Sequence, residues 1–177
     1  TGVTLGEATT AVLVSANAKN AKVKIIGDGS INDANHISGP SRTGEGLFRS
    51  IKSAVEEAKI NPNQIDYISA HGTATPFNDE MEGIAINRIG LENVPVNSLK
   101  GFYGHTLGAS GLLETVIGIE SALRNKLYFS MGFDETNLSQ PIAIIEKNQK
   151  KEINYFLKTA SGFGGCNTAI VFEKVKL

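Results

Sequence analysis

Two histidines stand in glycine-flanked motifs: His71 in Ala70-His71-Gly72-Thr73-Ala74-Thr75, and His105 in Lys100-Gly101-Phe102-Tyr103-Gly104-His105-Thr106. Imidazole is the side chain best suited to exchange protons near neutral pH. Two of them beside glycines that admit a close approach point to acyl transfer. Thr73 and Thr75 offer hydroxyls spaced to grip a polar ligand arm. The single cysteine, Cys166, lies in a third glycine-rich motif, Gly162-Phe163-Gly164-Gly165-Cys166-Asn167. Asp79 and Glu82 are three apart and share one helix face. Lys100, fixed between a strand and the His105 loop, is expected to pair with Glu82 and clamp two site loops together. His105 is expected to open a helix whose N-terminal partial charge keeps the ring neutral, suited to hydrogen-bond a developing oxyanion.

The elements that must position these groups follow from periodicity. Thr10-Ala11-Val12-Leu13-Val14 and Lys22-Val23-Lys24-Ile25-Ile26 read as strands, and residues 27 to 42 as a long loop. Leu47, Ile51, Val55 and Ala58 recur at helical spacing up to Asn61-Pro62. Ile65 to Ala70 is a strand that delivers His71. A second helix begins at Asn78 and Asp79 and stops near Gly90. Val94 to Leu99 is a strand delivering Lys100, and a third helix spans about Thr106 to Leu123. Ile153 to Thr159 and Thr168 to Lys174 close the chain as a strand pair. The alternation predicts a layered α/β fold with functional loops at strand ends. Thr10 to Val14 also resembles Thr168 to Phe172 in residue type, as corresponding strands of a duplicated fold would.

Bulk composition excludes other classes. Seventeen Lys and Arg oppose 18 Asp and Glu without clustering, so no footprint for nucleic acid or an anionic membrane is present. No apolar run approaches the roughly 20 residues of a bilayer span. One cysteine cannot form an internal disulfide, and a reducing cytoplasm is the expected setting. No metal-ligand cluster or cofactor motif is read, and neither metal nor cofactor is expected. The start at Thr1 predicts a piece of something longer.

Taken in order, His71 to Thr75 with Asp79 and Glu82, Ser98-Leu99-Lys100 with Gly104 to Gly111, and Gly162 to Asn167 resemble the C-terminal half of a β-ketoacyl-acyl carrier protein synthase of the two-histidine, elongating type. Leu5-Gly6-Glu7 and Asn32 to His36 share the resemblance, which covers essentially the whole chain. It implies a thiolase-like fold: residues 1–26 would end the N-terminal half and connect onward, with the last strand of that half, and residues 27–177 would form the C-terminal half, a layered mixed β-sheet with helices. The implied reaction is a decarboxylative Claisen condensation of an acyl thioester with malonyl-acyl carrier protein, in fatty acid, polyketide or polyene synthesis. A cysteine of the N-terminal half would be the nucleophile, so this chain alone would be inactive. His71, His105 and Lys100 would be catalytic, with Glu82 and Asp79 in support. Thr73, Thr75, Phe163 and Gly164 would bind substrate, the threonines gripping the phosphopantetheine arm and Phe163 gating the acyl pocket. The implied partners are acyl carrier protein, the N-terminal half, and a second synthase in a homodimer or ketosynthase heterodimer.

Departures from the pattern carry their own expectations. Cys166, where the family often has threonine, reads as a small packing residue, and Ser161 replaces a common aromatic. Lys158-Thr159 replaces a polar pair that, with a glutamate matching Glu114, often lies at a bound monovalent cation. The Lys158 ammonium is expected to take over that charge. The alternative to an enzyme is a non-catalytic, chain-length-factor-like partner of a ketosynthase, which retention of both histidines and Lys100 disfavours.

Overall fold

The computed structural model describes residues 2–34 and 36–175. Its centre is a five-stranded sheet in the order β1 (Val23–Asn32), β7 (Cys166–Lys174), β6 (Tyr155–Ser161), β2 (Tyr67–Ser69), β3 (Val96–Asn97). β1, β7 and β6 pair antiparallel; β6, β2 and β3 pair parallel. Helices α1 (Glu45–Ala58), α2 (Pro76–Arg88), α3 (Lys100–Tyr103) and α4 (Ser110–Arg124) connect these strands, and β4 (Lys126–Leu127) pairs with β5 (Gln149–Lys150).

Strand alternation explains the layering. Ile68, Leu157, Ala169 and Val171 point to one face and pack with Leu47 and Ile51 of α1 and Met81 and Ile86 of α2. Their neighbours Tyr67, Phe156 and Phe172 point to the other face, with Ala122 of α4 and Leu127. The Phe156 and Phe172 rings stack there, centroids 4.6 Å apart. Both faces of the sheet are covered, which is why Tyr67-Ile68 of β2 and Phe156-Leu157 of β6 are apolar without alternation. The expected layered α/β sheet is therefore present.

Two expectations for the N-terminal part are corrected. Residues 27–32 continue β1 instead of opening a loop. Their glycines mark the close approach of α1: a Cβ on Gly27 or Gly29 would fall 2.0 or 2.1 Å from the carbonyl oxygens of Ala54 or Ser50. Residues 10–14 form no strand, because no described strand lies alongside to pair with them, and Val12, Leu13 and Val14 stand in solvent. The resemblance to residues 168–172, which lie in β7, is thus not matched by shared structure. Asn35 of the Asn32 to His36 motif lies outside the described residues. His36 is exposed and accepts the Ser38 and Gly39 N–H groups within its own turn, both at 3.1 Å.

Candidate active site

The C-terminal ends of the parallel strands converge on the histidines. β2 is followed by Ala70, whose N–H is held by the Asn97 carbonyl at 2.9 Å, and then by His71. Gly72 turns with φ 44°, and Ser98 Oγ donates to its carbonyl at 2.6 Å, so the His71 loop is tied to the segment before Lys100. His105 enters differently. Its N–H donates to the Thr4 carbonyl at 2.7 Å, and its carbonyl accepts from Gly6 N–H at 3.1 Å. A Cβ on Gly6 would lie 1.7 Å from the Tyr103 carbonyl oxygen, which explains the glycine in the Leu5-Gly6-Glu7 motif.

The two rings meet edge to face, centroids 5.3 Å apart. Lys100 Nζ lies 3.4 Å from His71 Nδ1 and donates to the His71 carbonyl. An ammonium can only donate, so His71 Nδ1 is the acceptor and the ring proton sits on Nε2. His105 reaches the same tautomer by another route, since its Nδ1 accepts the Leu107 N–H at 3.0 Å. Both histidines are therefore Nε2–H donors. Burial, reinforced by the charges of Lys100 and Lys158 and by His105, pushes His71 down to about 2, so it is neutral at any physiological pH. Burial and Lys100 also lower His105, against an opposing pull from Glu114. The helix-start expectation for His105 is corrected here: α4 begins five residues later at Ser110, after a turn of 3-10 helix, and burial, not a helix terminus, keeps the ring neutral.

The expected Lys100–Glu82 ion pair is also corrected. Lys100 pairs with Glu114 Oε1 at 2.5 Å, and Ser110 Oγ donates to the same oxygen at 3.0 Å. Glu82 has other work: its two oxygens accept the backbone N–H of His71 at 2.8 Å and of Gly72 at 2.6 Å. Thr159 Oγ1 and Asn78 Nδ2 complete its shell. Glu82 thus fixes the loop that carries His71 instead of neutralising a lysine. Asp79 does the same one step on, accepting the Thr73 N–H at 3.1 Å. Burial, then the neighbouring Glu82, raises the Asp79 carboxyl to about 6.

Lys158 lies where the substitution suggested. It is 3% exposed, pairs with Glu114 Oε2 at 2.7 Å, and its stem rises from β6 directly beside Ser69 of β2. Burial opposes charge on Glu114, but Lys158 and Lys100 outweigh it and hold the carboxyl below its ordinary range. Glu114 and Lys158, expected from the sequence to share one charge position, complete the site; what the sequence does not give is that Glu114 also pairs with Lys100. Their signal was available: each is a lone charge inside an apolar run, Leu112 to Ile117 and Tyr155 to Ala160.

A cleft of about 530 Å³ opens over this cluster, lined by Thr73, Asp79, Lys100, His105, Met131 and Leu138 among others. Thr73 and Thr75 hydrogen-bond each other through their hydroxyls at 2.7 Å. Phe163 is 85% exposed, and it and Gly164 lie outside the lining of this cleft, in the turn between β6 and β7. Ser161 Oγ donates to Asn167 Oδ1 at 2.9 Å, bracing that turn. Cys166 is exposed at the start of β7, which corrects its reading as a packing residue. Among the described residues no group of three or more His, Cys, Asp or Glu is placed to hold a metal ion, and no helix is long and apolar enough to cross a membrane.

Known proteins share this sequence pattern and fold. The family model described as "Beta-ketoacyl synthase, C-terminal domain" matches residues 22–128. A 3-oxoacyl-[acyl-carrier-protein] synthase 2 of Staphylococcus aureus (strain COL) is 34% identical over 168 residues, covering 92% of this chain and 41% of that protein. A solved type II polyketide ketosynthase in complex with its acyl carrier protein superposes with a TM-score of 0.83 at 29% identity, over 87% of this chain and 39% of that one. The complex of a ketosynthase with its chain length factor from Xenorhabdus doucetiae gives 0.81 at 33%, over 88% and 40%. The mixed sheet and its superposition on solved ketosynthases define a thiolase-like α/β fold. The chain belongs to the β-ketoacyl synthase family, as its C-terminal domain, and spans about two-fifths of the length of the curated relatives it matches.

Proposed function

We propose that this chain is the C-terminal region of a β-ketoacyl-acyl carrier protein synthase, and that its histidines serve the decarboxylative half of the condensation. The observation that carries the reading is the shared tautomer: two neutral Nε2–H donors, each fixed by a donor at its Nδ1. When a malonyl thioester loses carbon dioxide, the electron pair of the broken C–C bond moves toward the thioester oxygen. Two N–H donors stabilise that enolate without giving up a proton, the arrangement in which preorganised dipoles contribute most. The enolate carbon then attacks an acyl thioester held on a cysteine, forming the new C–C bond and releasing the cysteine thiolate. Lys100 fixes the His71 tautomer and orientation. Thr73 and the cleft receive the phosphopantetheine arm, with Thr75 beside Thr73, and Phe163 with Gly164 borders the acyl side.

An acyl-carrying cysteine outside this sequence is supported by the place of Cys166, which is exposed on β7 and outside the lining of the cleft that includes His105. This chain by itself is then inactive. Its partners are acyl carrier protein, the N-terminal half of the synthase, and a second synthase or ketosynthase subunit, in a reducing compartment such as the cytoplasm. Mass spectrometry of the whole synthase after incubation with an acyl thioester tests this. The acyl group is expected on a cysteine outside residues 1–177, with Cys166→Ser acylated normally; acylation lost in Cys166→Ser overturns the reading. Similarity to a ketosynthase–chain length factor complex keeps a non-catalytic partner subunit as the second reading. Absence of any acylated cysteine in the whole protein supports it.

A further inference from the structure

The proposed reaction gives Lys158 no task, yet its surroundings are the most specialised in the molecule. Its Nζ points at the carbonyl oxygens of Ser69 and Ala70, both at 3.3 Å, and of Thr159, and pairs with Glu114 Oε2 at 2.7 Å. An ammonium has three protons, but four oxygens converge on this one, as they would on a spherical cation. Carbonyl and carboxylate oxygens are the donors that hard cations select. The four come from separate places: Ser69 ends β2, Ala70 leads directly into His71, Thr159 is on β6, and Glu114 is on α4.

We propose that Lys158 is a built-in monovalent cation, a tethered ammonium that positions His71 and Lys100 through the Ala70 carbonyl and the Glu114 carboxylate, and whose place a free monovalent cation takes when the side chain is shortened. Charge balance supports the role. His71 is surrounded by Lys100 from α3, Lys158 from β6, His105 from its loop and Glu82 from α2, with Glu114 of α4 behind Lys100 and Asp79 of α2 behind Thr73. Two buried ammoniums, Lys100 and Lys158, face two buried carboxylates, Glu82 and Glu114. Without Lys158, Glu114 keeps Lys100 as a charged partner, but the three carbonyl oxygens face one another with no cation between them. The carbonyl of Ala70, next to His71, and the carboxylate that pairs with Lys100 are both held by a residue outside the lining of the cleft. Lys158 is in this sense a positioning residue, and its catalytic consequence rests on the function proposed above.

The test uses the whole chain and needs no turnover, so its failure is separate from failure of the proposed reaction. Thermal unfolding of wild type and Lys158→Ala is compared in potassium chloride and in choline chloride of equal ionic strength, choline being too large for the space. Wild type is expected to melt identically in the two salts. Lys158→Ala is expected to melt roughly 3–6 °C higher in potassium. Equal melting of Lys158→Ala in both salts overturns the proposal, as does a wild type that itself gains in potassium. If Lys158→Ala does not fold in either salt, Lys158→Ser, which also empties the space and adds a hydroxyl oxygen, is melted in the same two salts. A higher midpoint in potassium is expected; equal midpoints, or a variant that folds in neither salt, overturn the proposal.

Discussion

Replacing Glu114 with glutamine should be among the most damaging single-atom-scale changes available in this fold. The carboxylate is 1% exposed and lies 2.5 Å from Lys100 Nζ and 2.7 Å from Lys158 Nζ, whose side chains are 8% and 4% exposed. Removing one partner of a buried pair costs about 3–5 kcal/mol, because the other charge is left buried without compensation. Here two ammoniums lose their counter-charge together, so the upper part of that range applies. For a chain of this length each kcal/mol moves the melting temperature by about 2–4 °C. Glu114→Gln should therefore lower it by roughly 10–20 °C. Circular dichroism melts measure this, with Lys24→Gln as the control: its pair with Glu173, at 3.3 Å, has side chains 54% and 33% exposed. That control should move the midpoint by no more than about 2 °C. The pH dependence supplies a second check. The Glu114 carboxyl is held below its ordinary range, so its contribution is present above the unfolded-state value and is lost as pH falls through the folded one. The gap between wild type and Glu114→Gln should be widest near neutrality and close in acid. A loss no larger than the control's, or a gap independent of pH, would show that water reaches the carboxylate and would refute the buried-cluster account.

Other outcomes follow from the same geometry. Asp79, raised to about 6 by burial and by Glu82, is better accommodated protonated in the folded state, so its ionisation subtracts stability as pH rises from its unfolded value through about 6. Asp79→Asn should melt higher than wild type above that pH and show a flatter stability profile, measured by melts across the range. Glu82→Gln should cost about 2–4 kcal/mol in denaturant unfolding, since an amide N–H₂ would face the His71 or Gly72 N–H that one carboxylate oxygen now accepts. Gly101→Ala should destabilise the chain comparably or prevent its expression in folded form, because its Cβ would fall 2.0 Å from the Met131 carbonyl oxygen. In solution the chain alone should self-associate in sedimentation experiments, since Leu5, Leu13, Val14, Ile37 and Leu107 are each more than 60% exposed.

The sequence carried the parts of this account that depend on spacing and failed where a partner was required. The His71 strand, the α1 and α2 periodicities and the closing strand pair are local patterns, and they fold as read. Residues 10–14 have the composition of a strand, but strand formation is a property of pairs, and composition does not supply the neighbour. Gly27 and Gly29 read as a loop because glycine's two uses, turning and close packing, look identical until α1 is in place. The site shows the same division. His71, His105 and Lys100 were legible from their motifs, but the partner of Lys100 was not, since Glu82 and Glu114 are equally plausible in one dimension. Glu82 was already committed to two backbone N–H groups, and only the turn of the chain at Gly72 reveals that. Lys158 was visible as a substitution, and its meaning came from the carbonyls of a strand 89 residues away in sequence.

The central claim is that His71 and His105 stabilise the enolate formed when a malonyl thioester loses carbon dioxide. It is tested most directly by measuring carbon dioxide release and 3-oxoacyl product from malonyl-acyl carrier protein with the whole synthase that contains this chain. Wild type should give both in equal amounts. His71→Ala and His105→Ala should each lose about 10²- to 10³-fold in decarboxylation while still taking up the acyl group on the cysteine of the N-terminal half. Decarboxylation at the wild-type rate in both variants would contradict the account.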